Sequence, residues 1–139
     1  MGIETKYKKV YSSGKRKAAI ARAIIIQGTG KITYNKKDYH TLQLFDKLKL
    51  SEPIEIAKKV LAEVNFDAII NVHGGGEKGQ IDSARIALAK GILEFTKSEE
   101  LRDAYLTYDR NLLVADVRRK ESNKPGDSKA RAKRQTSYR

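Results

Sequence analysis

Residues 66–81 read Phe-Asp-Ala-Ile-Ile-Asn-Val-His-Gly-Gly-Gly-Glu-Lys-Gly-Gln-Ile. The first eight have the apolar, β-branched content of a buried strand. Three glycines end it, and apolar residues then recur at helical spacing: Ile81, Ala84, Leu88, Ile92 and Phe95, with Ala89 and Leu93 beside them. That spacing predicts a helix over about 81–95, with Arg85 and Lys90 towards its flanks. Gly74, Gly76 and Gly79 match G-x-G-x-x-G in the strand-to-helix setting of a dinucleotide-binding fold. The residues after the helix do not fit such a fold. Ser98-Glu99-Glu100 opens another helix, a capping hydroxyl before two acids that suit the helix dipole, with Leu101, Ala104, Tyr105 and Tyr108 to pack it. A second parallel strand ending in a ribose-binding acid is missing. Gln80-Ile81 stands where a phosphate-binding loop has Lys-Ser/Thr. The glycine loop keeps two readings open. Backbone N–H groups at a helix start, with Lys78 beside them, suit a phosphate, and a tight turn needing positive φ suits glycine equally.

Upstream, residues 6–12 read as a strand and Ser12-Ser13-Gly14-Lys15-Arg16 has turn composition. Residues 17–27, with Ile20 and Ile24-Ile25-Ile26, form the best strand candidate. Gln27-Gly28-Thr29-Gly30 suggests a hairpin into a short strand at 31–34. Leu42, Leu44 and Leu48 beside Phe45 predict a short helix within 38–49. Ser51-Glu52-Pro53 predicts a second helix start, with Ile54, Ala57, Leu61 and Val64 on one face.

The chain has 139 residues, enough for one domain and an appendage. Its formal charge of +12 is unevenly placed. Residues 1–22 carry seven basic residues and one acid, and residues 118–139 carry nine and two. The stretch between carries 13 and 14. A near-neutral body with cationic ends suits a polyanionic partner. From Arg118 onward there is no Leu, Ile, Val, Met or Phe, so residues 118–139 are expected to form a basic tail, disordered until bound, beside a globular domain at 1–117. Fully extended, that tail would reach ~70 Å.

Other chemistries find little footing. There is no Cys, which excludes disulfides, zinc ribbons and thiol catalysis. No apolar run is long enough to span a bilayer. The first residues lack the apolar stretch of a secretory leader, so an intracellular location is expected. His40 and His73 lie far apart in sequence, without the His at i+3 or i+4 of a metal motif, and no Ser sits in G-x-S-x-G. Neither catalysis nor a cofactor is expected. Candidate phosphate-binding residues are Lys15, Arg16, Lys17 and Arg22, Lys78 at the glycine loop, and Arg118, Arg119, Lys120, Lys129, Arg131, Lys133 and Arg134 in the tail. Tyr138 could stack on a base.

These motifs together resemble the family of ribosomal protein nine of the small subunit. Ser13-Gly14-Lys15-Arg16-Lys17 through Arg22 resembles its first signature, and Gly28-Thr29-Gly30-Lys31-Ile32-Thr33 the turn and strand after it. Gly74-Gly75-Gly76 through Gly79-Gln80-Ile81 resembles its glycine motif, and Lys129-Ala130-Arg131, Gln135 and Arg139 its tail. Tyr138 resembles the archaeal and eukaryotic branch. The resemblance implies a small α+β domain whose mainly antiparallel sheet packs on helices and contains a βαβ unit of left-handed crossover. It implies a structural, non-enzymatic role in the cytoplasmic ribosome: binding to rRNA in the head of the small subunit, beside neighbouring head proteins. Arg139, with Tyr138 next to it, would contact the anticodon stem-loop of P-site tRNA. No membrane or small-molecule substrate is implied. Two other readings of the residues remain, a nucleotide-dependent enzyme using Gly74–Gly79 and a DNA-compacting basic protein.

Overall fold

The computed structural model describes residues 8–63 and 65–133. Its elements run β1 (Lys9–Arg16), β2 (Ala19–Gln27), β3 (Ile32–Tyr34), β4 (Lys37–Asp38), α1 (Leu44–Val60), β5 (Phe66–His73), α2 (Glu77–Thr96) and α3 (Glu99–Tyr108), with 3-10 turns at Tyr39–Thr41 and Arg110–Leu112. The strands form one sheet in the order β1-β2-β5-β3-β4. All neighbours are antiparallel except β3 and β5, which are parallel and joined through β4 and α1. This is the α+β architecture that the resemblance implies.

The helices lie on one face of the sheet. Val10 and Gly14 of β1, Ala19, Ala21, Ala23 and Ile25 of β2, and Phe66, Ala68, Ile70 and Val72 of β5 are buried against them. The alternate residues face away and are more exposed, as the two-residue period of a strand requires. α2 is the central helix and is buried on nearly all sides, with Ile81, Ala84, Ile86, Ala87, Leu88, Ala89 and Ile92 in the core. It meets β1 at unusually short range. A Cβ on Gly14 would lie 2.2 Å from the Ser83 carbonyl oxygen and 2.7 Å from the Ala87 nitrogen. Ser12 Oγ donates to the Ala87 carbonyl at 2.7 Å, and Gly91 leaves the space that Ser12 and Ile25 occupy.

This contact corrects the reading of residues 12–16 as a turn. They are strand, and the turn falls at Lys17-Ala18. Gly14 serves close backbone approach, not turn geometry. Residues 6 and 7 of the expected strand lie outside the described residues, as does Val64.

The expected hairpin after β2 is also replaced. β3 forms, but β5 lies between it and β2. The Asp67 carboxylate explains the detour. Its Oδ1 accepts the N–H groups of Thr29, Gly30 and Lys31 at 2.8, 2.9 and 2.8 Å, which draws the loop onto β5. A Cβ on Gly28 would strike that carboxylate at 2.1 Å. The N–H of Lys31, with those of Gly30 and Thr29, holds the Asp67 carboxyl below the usual carboxylate range. The next turn, Asn35-Lys36, has φ of +46° and +65° and closes a two-residue hairpin, as a type I′ turn does.

The two helices expected over 38–64 are one. α1 runs straight through Ser51-Glu52-Pro53, and Pro53 sits inside it. Interior proline costs ~3 kcal/mol, here offset by burial of Leu50, Pro53, Ile54 and Ala57 along one face. α2 starts four residues earlier than the spacing predicted, because Gly76 acts as its N-cap and Glu77 opens the helix. The Ser98 cap of α3 forms as expected, accepting from the Leu101 N–H. Leu101 and Tyr105 are buried, whereas Tyr108 is exposed.

Two polar contacts tie the helices together. The Tyr105 hydroxyl donates to the Pro53 carbonyl at 2.8 Å, and burial pushes that phenol's pKa up. Arg85 reaches Glu52 of α1 at 2.5 Å and Asp109, beyond α3, at 3.0 Å. No helix among the described residues is long and apolar enough to cross a membrane. Residues 118–133 contain no helix or strand.

Gly14→Ala is expected to destabilise the fold by about 3 kcal/mol, the upper range for overpacking, because the obstacle is helix backbone. Gly76→Ala, at φ −112° with open space around it, should cost under about 1 kcal/mol. Urea denaturation of both variants checks the contrast. Because the Asp67 pKa is lowered on folding, its stabilising effect is present above the ordinary carboxylate pKa and is lost as pH falls through the folded value. Thermal melts should therefore show Asp67→Asn less acid-sensitive than the parent, although less stable at neutral pH.

Candidate nucleic-acid interface

One end of the sheet gathers Lys15, Arg16, Lys17 and Lys78 from the cations singled out in the sequence, and Asp116 holds Arg118 there. Arg16 pairs with Ala19, leaving Lys17 and Ala18 as the connecting turn, with Lys17 at φ +52°. β5 ends beside this turn, His73 opposite Ile20. Gly74 and Gly75 come next, at φ +76° and +65°. A Cβ on Gly74 would lie 2.7 Å from the Ala18 oxygen, and one on Gly75 would lie 2.9 Å from the Ala19 nitrogen. The glycine loop is thus a tight turn packed backbone to backbone on the β1–β2 turn. α2 starts directly after it and is followed by α3, not by the parallel strand that a dinucleotide fold needs.

Strand alternation divides the three consecutive cations. Lys15 is exposed on the open face and Lys17 on the turn. Arg16 faces the helix side, its side chain only 18% exposed, and forms an ion pair with Asp116. Asp116 also takes Arg118: Nη2 lies 2.7 Å and Nε 3.0 Å from Oδ2, and the Arg118 N–H donates to Oδ1 at 2.9 Å. The Arg118 side chain first, its backbone N–H next, and then Arg16 hold the Asp116 carboxyl well below the usual carboxylate range. Asp116 therefore fastens the start of the tail to the end of β1.

The remaining candidates are open to solvent. Arg119 donates to the Asp116 carbonyl at 3.3 Å, and Lys120 is exposed. Lys78, in the first turn of α2, lies 3.3 Å from Asp46 with its side chain 69% exposed. The Asp46 carboxylate is mostly covered, whereas the Lys78 ammonium remains open to solvent. Further on, the chain is not extended: the Lys124 N–H donates to the Ser128 carbonyl at 3.0 Å, closing a turn. Arg131 lies 2.8 Å from Glu121, again on the surface, and Lys129 and Lys133 are exposed. Arg22 stands apart on the open sheet face, opposite Ser13 and Asn71. Arg134, Tyr138 and Arg139 lie outside the described residues.

Asp116 escaped the sequence reading, which counted it only as an acid of the body. Tyr11 and Asn71 on the open face escaped it too, and His73 was weighed only as a metal ligand, although two-residue alternation through β1 and β5 puts all three on that face. Neither His73 nor His40, whose ring lies 4.1 Å from that of Tyr39, belongs to a group that could hold a metal among the described residues.

Residues 14–139 match the family described as Ribosomal protein S9/S16. The chain is 47% identical over 135 residues to small ribosomal subunit protein uS9 of Methanococcus vannielii, covering 95% of this chain and 99% of that protein. It is 47% identical over 133 residues to the protein of the same name from Methanothrix thermoacetophila, with the same two coverages. These archaeal relatives agree with the branch that Tyr138 suggested. The signatures at Gly14, Gly28 and Gly74 turn out to be the close contacts of one fold, and with a family match over nearly the whole length, the chain belongs to the ribosomal protein S9/S16 family of the small ribosomal subunit.

Proposed function

We propose that the chain binds rRNA in the head of the small subunit of the cytoplasmic ribosome, and that its last residues contact P-site tRNA. The observation that carries this reading is the Arg16–Asp116–Arg118 clamp. It brings the start of the tail to the sheet end where Lys15, Lys17 and Lys78 are exposed, so two cationic segments distant in sequence make one surface. Phosphates are the ligand such a surface suits, and each neutralised phosphate releases condensed counterions. Residues 1–117 act as the body and residues 118–139 as the tail, whose Lys120, Lys129, Arg131, Lys133 and Arg134 meet rRNA phosphates and whose Tyr138 and Arg139 meet the tRNA. The tRNA contact rests on the family resemblance of the last residues.

Truncation after Ser128 removes Lys129, Arg131, Lys133, Arg134 and Arg139 and no acidic side chain. With all five on phosphates, the slope of log K against log salt should fall by about 3.5 to 4.5, from ~0.7–0.9 per contact. An unchanged slope for binding to small-subunit rRNA means the tail is free of it. Arg139→Ala should assemble into small subunits normally, yet weaken P-site tRNA retention by about 1–2 kcal/mol, the scale of one charge-assisted contact. Arg139→Lys, a point charge in place of a planar fork, should fall between. tRNA dissociation from purified, messenger-programmed mutant subunits is the measurement, and normal retention refutes the tRNA contact while leaving rRNA binding in place.

A further inference from the structure

The open face of the sheet holds a groove that the cation cluster leaves unexplained. Strand register arranges it in rows across β1, β2 and β5. Tyr11, Ile24 and Ile69 form one row, Ser13, Arg22 and Asn71 the next, and Lys15, Ile20 and His73 a third. The groove, about 470 Å³, is lined by Tyr11, Ser13, Arg22, Ile24, Asn71 and His73 among others, and no carboxylate lines it. Asp67 faces the same side but lies further along β5, opposite Ile26, and its Oδ1 is occupied by three backbone N–H groups. The helices all cover the other face.

Two features distinguish this groove from ordinary strand surface. Tyr11 is 68% exposed, so its ring lies in water beside the half-buried Ile24. Among the described residues, the side chains of Arg22, Asn71 and His73 make no hydrogen bond or ion pair within the chain. A flat aromatic surface, unspent amide and imidazole groups, and two cations without an acid form a chemically consistent set. Rings stack on unpaired bases, amides and imidazoles address base edges, and guanidinium holds phosphate. A duplex buries its base faces and offers nothing to the ring.

We propose that this groove takes one unpaired RNA nucleotide. Its base stacks on Tyr11 against Ile24, Asn71 and His73 meet the base edge, and Arg22, with Lys15 beyond it, holds the flanking phosphates. This rests on the rRNA-binding reading and adds a base-contacting site to a surface otherwise made of phosphate contacts.

The test compares the full chain with Tyr11→Ala and Tyr11→Phe on an unstructured RNA 12-mer carrying 2-aminopurine, and on duplex RNA of equal length. Tyr11→Ala should bind the single strand about tenfold more weakly, the loss of one stacking contact. Its salt slope should be unchanged, because no phosphate contact is removed. Tyr11→Phe should bind like the parent and quench 2-aminopurine like the parent, whereas Tyr11→Ala should not quench. Duplex binding should be equal in all three. Parental single-strand affinity and quenching in Tyr11→Ala overturn the proposal while salt-dependent RNA binding by the parent keeps the rRNA reading. Equal losses on single strand and duplex also overturn it, because the ring then acts through the fold. A parent that binds neither RNA removes the rRNA reading itself.

Discussion

The backbone of β1 touches the backbone of α2, and much of the molecule depends on that contact. Only glycine fits at position 14, where any side chain would enter the Ser83 carbonyl. Ser12, Ala87 and Gly91 keep the same narrow gap along the helix. Once β1 is pressed there, its register with β2 puts the turn at Lys17-Ala18. The end of β5 must then pass under that turn, which it does with Gly74 and Gly75 at positive φ. The glycines of the basic signature and of the central loop answer one geometric requirement.

That geometry also decides which charges are spent. Arg16 projects to the helix side and is consumed by Asp116, whereas Lys15 and Lys17 remain exposed. Removing the Asp116 partner would leave a mostly covered guanidinium without its counter-charge, which costs more than a surface pair is worth. Arg85, between Glu52 and Asp109, serves the same kind of internal end. The basic residues thus fall into two groups, a few that hold elements together and a larger set left open to solvent. Composition alone cannot separate them.

Much of this was legible in the sequence. The isoleucine run of β2, the apolar run of β5, the helical spacing of α2 and the Ser98 cap are local signals, and each element formed. The failures share one cause. Gly14 in a turn and Gly14 in a strand have the same local composition, and the choice is made by Ser83 and Ala87, far away in sequence. Asp67 likewise gathers a loop nearly forty residues upstream, so the expected hairpin gives way to a parallel pair. Pro53 looks like a helix start until Leu50, Ile54 and Ala57 are seen buried with it on one face. At the interface, the cationic signatures were readable, but their division by strand alternation and the anchoring role of Asp116 needed the fold.

Lysine-reactivity footprinting by mass spectrometry, with and without small-subunit rRNA, tests most directly whether one end of the sheet and the tail form a single RNA-binding surface. Lys15, Lys17, Lys78, Lys120, Lys129 and Lys133 should lose reactivity together on binding. Lys58 and Lys59, exposed at the far end of α1 before β5 begins, should stay reactive. Protection of Lys58 and Lys59, with Lys15 and Lys17 left reactive, would contradict the account.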